Sequence, residues 1–177
     1  MDAALDSPPI ERVVTLRAAV LMEREAQPNR WEDWRYQLAG VELDDGHLGE
    51  AGAEHKPRVL RDDGHRALWA FTGFEVLLHP DEAEGYHLNL TSGAPVWFVM
   101  WRVDDEDPSR AWPERVTLSY HEAGRLLDAQ ERVDNWPLPA ELVALLQAYT
   151  DAHYQPEPKR RRRPASFLSP EQRGGRQ

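Results

Sequence analysis

The sequence predicts an α+β fold, with an antiparallel, strongly curved sheet of about six strands packed by two C-terminal amphipathic helices. Three observations carry this. Runs of branched and aromatic residues, several alternating at period two, fill the chain up to about residue 103, whereas helical periodicity sets in only after residue 119. Strand and helix signals therefore follow one another and do not interleave as βαβ crossovers would. The third is core material: of 177 residues, 41% are hydrophobic, with seven Trp, five Tyr and four Phe, enough for one core and too short a chain for two ordinary domains.

The elements follow in order. Residues 1–14, with Ser7, Pro8 and Pro9, read as a flexible lead. Thr15 to Glu25 has an apolar middle closed by charges, short enough for a strand with a buried helix turn as the competing reading, and the Pro28-Asn29 turn leads to a second, partly alternating strand over Trp34 to Leu43. These two form an antiparallel pair. The stretch 44–63 holds six acidic residues and three Gly but few large apolar side chains, the composition of a mobile acidic loop. Arg66 to His79 reads as a long strand with a bulge or bend at Thr72-Gly73. Tyr86 to Leu90 alternates strictly and is predicted as a strand. Val96 to Val103 is apolar on both faces, which marks the centre of the sheet. Ser119 with Glu122 has the form of a capping box opening a helix whose apolar positions are Ala123, Leu126 and Leu127. Pro139 opens a second helix with Leu142, Leu145, Leu146 and Tyr149 on one face. The domain thus spans 15–156, and 157–177 is expected to be a disordered basic tail.

Charge is split along the chain. The formal net charge is −10, yet residues 157–177 carry seven basic and two acidic side chains, leaving the body at −15. Such a body repels nucleic acid and anionic lipid, so any polyanion has to be met by the tail. The absence of Cys excludes disulfides, thiolate metal sites and a Cys nucleophile, and the sequence calls for no cofactor. An acidic, Pro-containing start and no long apolar run predict a cytoplasmic protein without a membrane span.

Candidate sites are few. Nucleophile-elbow, Walker, dinucleotide-fold and zincin motifs are absent from the sequence. His47, His55 and His65 stand among Asp44, Asp45, Glu50, Glu54, Asp62 and Asp63, residue types that ligate divalent metals but here at no compact ligand spacing. A small metal-binding protein or enzyme using this loop is the first alternative reading. His79 and His87 approach one another if their strands pair. Arg30, Trp31 and Trp34 combine the two residue types most enriched at interface hot spots. Lys159, Arg160, Arg161, Arg162 and Arg163 form a cationic run without aromatic interleaving, suited to an acidic partner surface and not to sequence-specific reading of nucleic acid. A nucleic-acid-associated regulator acting through this run is the second alternative.

Val20 to Arg24, Arg30-Trp31, Trp34, Gly40-Val41, the run Gly85-Tyr86-His87-Leu88-Asn89-Leu90 and Pro95 resemble an uncharacterised proteobacterial domain-of-unknown-function family. Val116 to Ala123, Pro137-Leu138-Pro139 with Glu141, His153-Tyr154 and the basic run from Lys159 extend the resemblance to most of the chain. The genes of that family often lie beside those of molybdenum-dependent formate dehydrogenase, some carrying the description molybdenum-iron protein-like. The resemblance implies a non-catalytic accessory protein that assists assembly, maturation or regulation of that dehydrogenase by binding one of its subunits or maturation factors. It supplies no catalytic residues.

Overall fold

The computed structural model describes residues 12–50 and 56–158. Most of the proposed lead, His55 and the basic run Lys159–Arg163 lie outside the described residues. Chain order is β1 (Val14–Ala26), β2 (Trp34–Leu43), β3 (Arg58–Asp62), β4 (Arg66–Leu78), a 3-10 turn over Pro80–Glu82, α1 (Ala83–Thr91), β5 (Val96–Val103), β6 (Ala111–Thr117), α2 (Tyr120–Asp128), β7 (Arg132–Pro137) and α3 (Ala140–His153).

The α+β class holds, but the strands form two antiparallel sheets in place of one curved sheet, and three helices, α1 and α2 standing between strands, take the place of two at the C-terminal end. The larger runs β2-β1-β4-β3 and the smaller β6-β5-β7, and neither closes nor curls strongly. β1 and β2 are the expected hairpin, with Ala26 opposite Trp34 and Ala18 opposite Leu43. The expected irregularity in β4 is present: Ala18 pairs Phe74 and Val20 pairs Phe71, so one residue of β1 faces two of β4. Gly73 occupies the extra position at φ 82°, a conformation that suits glycine. β5 is a central strand, but of the smaller three-stranded sheet and not of one six-stranded sheet, with β6 and β7 on either side.

Three further expectations are corrected, and two strands that the sequence did not announce are added. Tyr86–Leu90 lies in a helix, α1, not in a strand. Its period-two pattern is short, and the buried helix face consists of Ala83, Gly85, Tyr86 and the polar Asn89, so no apolar 3.6-residue stripe announces it. The usable signal stood upstream, where Pro80, Asp81 and Glu82 form a helix entry. The stretch 44–63 contains strand β3, whose five residues are all exposed and leave no hydrophobic signature. β6 and β7 are short strands carrying Pro113 and Pro137, and are recognised through their pairing with β5.

The last correction concerns the core. One core joins Val20, Met22, Trp69 and Phe71 of the larger sheet to Trp97, Val99 and Val116 of the smaller, closed by Leu142, Leu146 and Tyr149 of α3. On α3 the buried stripe is Leu142, Leu146, Tyr149 and Thr150, whereas Leu145 is 38% exposed. Phe98 is half-buried and Leu127 is exposed. Leu146→Ala should therefore cost about 2–5 kcal/mol in a urea melt, and Leu145→Ala less than about 1 kcal/mol.

α1 and α2 meet over a polar joint. Ser119 caps α2 by accepting from the Glu122 backbone N–H at 3.1 Å, and its hydroxyl donates to Glu82 at 2.5 Å. The Glu122 carboxylate does not close the box. It accepts from Thr117 and Arg115 instead, and Thr117 Oγ1 accepts from the Ser119 N–H. Burial alone would raise the Glu82 carboxyl pKa, but hydrogen bonds from Ser119 and Arg125 outweigh it and hold the group below its usual value. With the folded pKa depressed, this stabilisation is fully present above the unfolded value of about 4.3 and is lost as pH falls through the folded one. Glu82→Gln should be less stable than the parent at neutral pH, with the gap closing in melts taken at progressively lower pH. A gap that does not change with pH would show that the carboxylate charge contributes nothing.

Candidate functional site

The β1–β2 hairpin ends in a turn fixed by Asn29, whose Oδ1 accepts from the N–H groups of Trp31 and Glu32 at 3.0 and 2.7 Å. The turn lifts Trp31 clear of the sheet, where it is 91% exposed. Arg30 beside it is exposed as well. Trp34, at the first position of β2, turns its ring toward the body, and the guanidinium of Arg24 lies 4.0 Å from its centroid and 5.0 Å from that of Trp69.

That sandwiched Arg24 is 14% exposed and donates to the Ser109 carbonyl at 2.9 Å. Tyr36 donates to the neighbouring Pro108 carbonyl at 2.6 Å. Burial denies the phenolate its hydration and, against the opposing pull of Arg24, pushes the Tyr36 pKa up to about 12, so it stays a neutral donor. Arg24 and Tyr36 thus pin the β5–β6 turn, which is closed on itself by Asp104 and Asp107 side chains accepting from Glu106, Asp107 and Ser109.

The third wall comes from the smaller sheet. Trp101 pairs with Arg132 across β5 and β7, donates through Nε1 to Asp134 at 2.7 Å, and has the Arg132 guanidinium 5.4 Å from its ring centroid. Trp31, Trp34, Arg35, Tyr36, Trp101 and Arg132 line a cleft of about 350 Å³. Its chemistry is a set of aromatic faces bordered by guanidinium groups, with Glu32 and Asp33 at the rim. Such a surface offers stacking, burial of apolar area and bidentate hydrogen bonds to a complementary group.

The structure therefore keeps Arg30, Trp31 and Trp34 together but divides their roles. Trp31 and Arg30 face solvent, whereas Trp34 is half-buried and holds Arg24. Tyr36, Trp101 and Arg132 are the cleft residues that sequence reasoning missed. The hot-spot composition was present in each, but their approach depends on the β5–β7 register and on the contact of β2 with the smaller sheet.

The histidines are spread. His47 is bound to Asp45 at 2.5 Å and Glu42 at 3.1 Å, and the Asp45 hydrogen bond raises its pKa. His65 sits in the Asp62–Arg66 turn between β3 and β4, where Asp63 accepts its N–H. Among the described residues, no group of three or more His, Asp or Glu stands close enough to hold a metal. His79 and His87 do not sit on paired strands: His79 accepts from the Asp81 N–H before α1, and His87 lies on α1, stacked on Tyr154 at 4.6 Å. Among the described residues, no helix is long and apolar enough to cross a membrane.

No curated protein and no solved structure matches this chain significantly. Residues 17–163, which include every cleft residue and the basic run, match one family, and the chain belongs to it: the family described as protein of unknown function DUF3305.

Proposed function

We propose that this protein is a non-catalytic partner-binding module whose contact face is the Trp31 cleft, and that its partner is a subunit or maturation factor of a molybdenum-dependent formate dehydrogenase. The observation that carries the binding reading is Trp31, a large aromatic side chain 91% exposed at the tip of a turn that its own hydrogen bonds hold. A solvated indole on a fixed turn costs free energy in the isolated protein and returns it when a partner covers it. Arg30, Arg35 and Arg132 around it supply the donors that give such an anchor specificity. The basic run Lys159–Arg163, outside the described residues, adds a salt-sensitive attraction with a range of about 8 Å at physiological ionic strength. The dehydrogenase as partner rests on the sequence resemblance.

The test is affinity measurement of the full chain against the dehydrogenase subunits, alongside denaturant melts. Trp31→Ala should weaken binding by about 2 kcal/mol or more and leave the melt within about 0.5 kcal/mol of the parent. Trp34→Ala should lower stability as well, because it strips the cover from Arg24. Unchanged affinity in both variants would move the interface elsewhere, and absence of any binding to the dehydrogenase subunits would refute the named partner.

A further inference from the structure

The cleft at Trp31 lies at one end of the seam between β2 and β7, and a second groove opens at the other end. It has a volume of about 480 Å³ and is lined by Val41, Leu43, Trp136 and Leu138, with Glu42 and Glu141 at its margin. Leu43 is 41% exposed and Trp136 and Leu138 are only half-buried, so apolar surface stands open beside two carboxylates. A complementary occupant carries large apolar side chains next to cations.

One segment of this chain has that composition. After Tyr154, Phe167 and Leu168 are the only large apolar side chains, and they follow Lys159–Arg163 within a few residues. We propose that this groove is the docking site of the chain's own segment 159–168, with Phe167 and Leu168 in the groove and the cations directed to the acidic body. The reach suffices. α3 starts at the groove with Glu141 on its margin, and its 14 residues span about 21 Å. From Pro158, the last described residue, nine residues to Phe167 extend up to about 30 Å.

Charge favours the same arrangement, since residues 1–156 carry −15 and the run from Lys159 to Arg163 is entirely basic. A tether this short keeps the segment at about millimolar effective concentration, so a contact too weak to hold a free peptide is populated within one chain. In the docked state the cations are occupied by the protein's own surface. An acidic partner then has to displace the segment before it meets the basic run. The inference goes beyond the partner-binding reading and does not depend on it.

The experiment uses the full chain. It contains no Cys, so Ser169→Cys gives one attachment point for a nitroxide label. In the isotope-labelled protein the amide signals of Glu42, Leu43, Leu138, Glu141 and Leu142 should be lost with the active label and return when it is reduced. Phe167→Ser with Leu168→Ser in the same chain should restore them without reduction, while a urea melt of this variant should match that of the parent. Undiminished groove signals with the active label would overturn the proposal, as would signal loss that survives the double serine change. Mixing isotope-labelled chains with unlabelled spin-carrying chains gives the remaining control. Loss seen there to the same extent would assign the groove to a second copy and overturn the intramolecular contact.

Discussion

Gly85→Ala should destabilise this protein by about 3 kcal/mol or more, out of all proportion to one methyl group. A Cβ at position 85 would stand 2.2 Å from Ser119 Oγ and 3.3 Å from the His121 backbone nitrogen. The hydroxyl cannot retreat cheaply, because it caps α2 through the Glu122 N–H and donates to Glu82. Overpacking of this kind costs about 1–3 kcal/mol, and the loss of a helix cap about 1 kcal/mol more. Backbone conformation is not the cause, since Gly85 has no positive φ. The check is a double-mutant cycle with Ser119→Ala. Removing Oγ deletes the closest contact, so the two changes together should cost clearly less than their sum. Strict additivity would mean that α1 shifts as a body and that the Gly85–Ser119 contact is not what sets the helix spacing.

Asn89→Leu should cost about 3–5 kcal/mol and threatens folding outright, since whole domains are stable by only about 5–15 kcal/mol. Asn89 is 1% exposed. Its Nδ2 donates to the carbonyls of Val96 and Leu118 at 2.8 and 2.9 Å, and its Oδ1 accepts from the Val96 N–H at 3.0 Å. One side chain therefore ties the end of α1 to the first residue of β5 and to the chain just after β6. A leucine fills similar volume but takes the amide away from three backbone groups, the buried Leu118 carbonyl and the part-buried N–H and carbonyl of Val96, at a cost of about 1–3 kcal/mol each and not fully additive. Thermal or urea melts measure the loss. A variant within about 1 kcal/mol of the parent would show that water or relaxed backbone replaces these bonds.

These two predictions bear on function as well as stability. Gly85, Tyr86, Asn89, Ser119 and Glu122 all belong to the runs on which the family resemblance rests, and each is explained by packing or by hydrogen bonds within the fold. Tyr86 is buried with its hydroxyl accepting from the His79 N–H and donating to the Leu77 carbonyl. Desolvation pushes its pKa up to about 12, so it is held neutral there. Variants at these positions should change the folded fraction and leave the affinity of folded molecules alone, whereas Trp31→Ala should do the reverse.

Local patterns in the chain were sufficient for the α+β class, the β1–β2 hairpin, the bulge at Thr72-Gly73, the place of β5 between two strands and the starts of α2 and α3. These are features with local causes: alternation, a turn pair, a glycine, an apolar run, a capping serine, a proline. The sequence also picked out Arg30, Trp31 and Trp34 by composition. The split into two sheets comes from long-range contacts, because β7 returns to pair with β5 from beyond α2 and β3 is held by β4 without burying any of its own residues. The same contacts make α1 a helix, since its buried face is built around Gly85, Tyr86 and Asn89, and Ser119 and Leu118, which meet Gly85 and Asn89, are distant in sequence. The same physics fixed the cleft. Trp34 and Trp31 are three residues apart, yet one covers a buried guanidinium and the other faces water. That difference follows from where Arg24, Trp69 and the Pro108–Ser109 turn arrive in space, which no local pattern encodes.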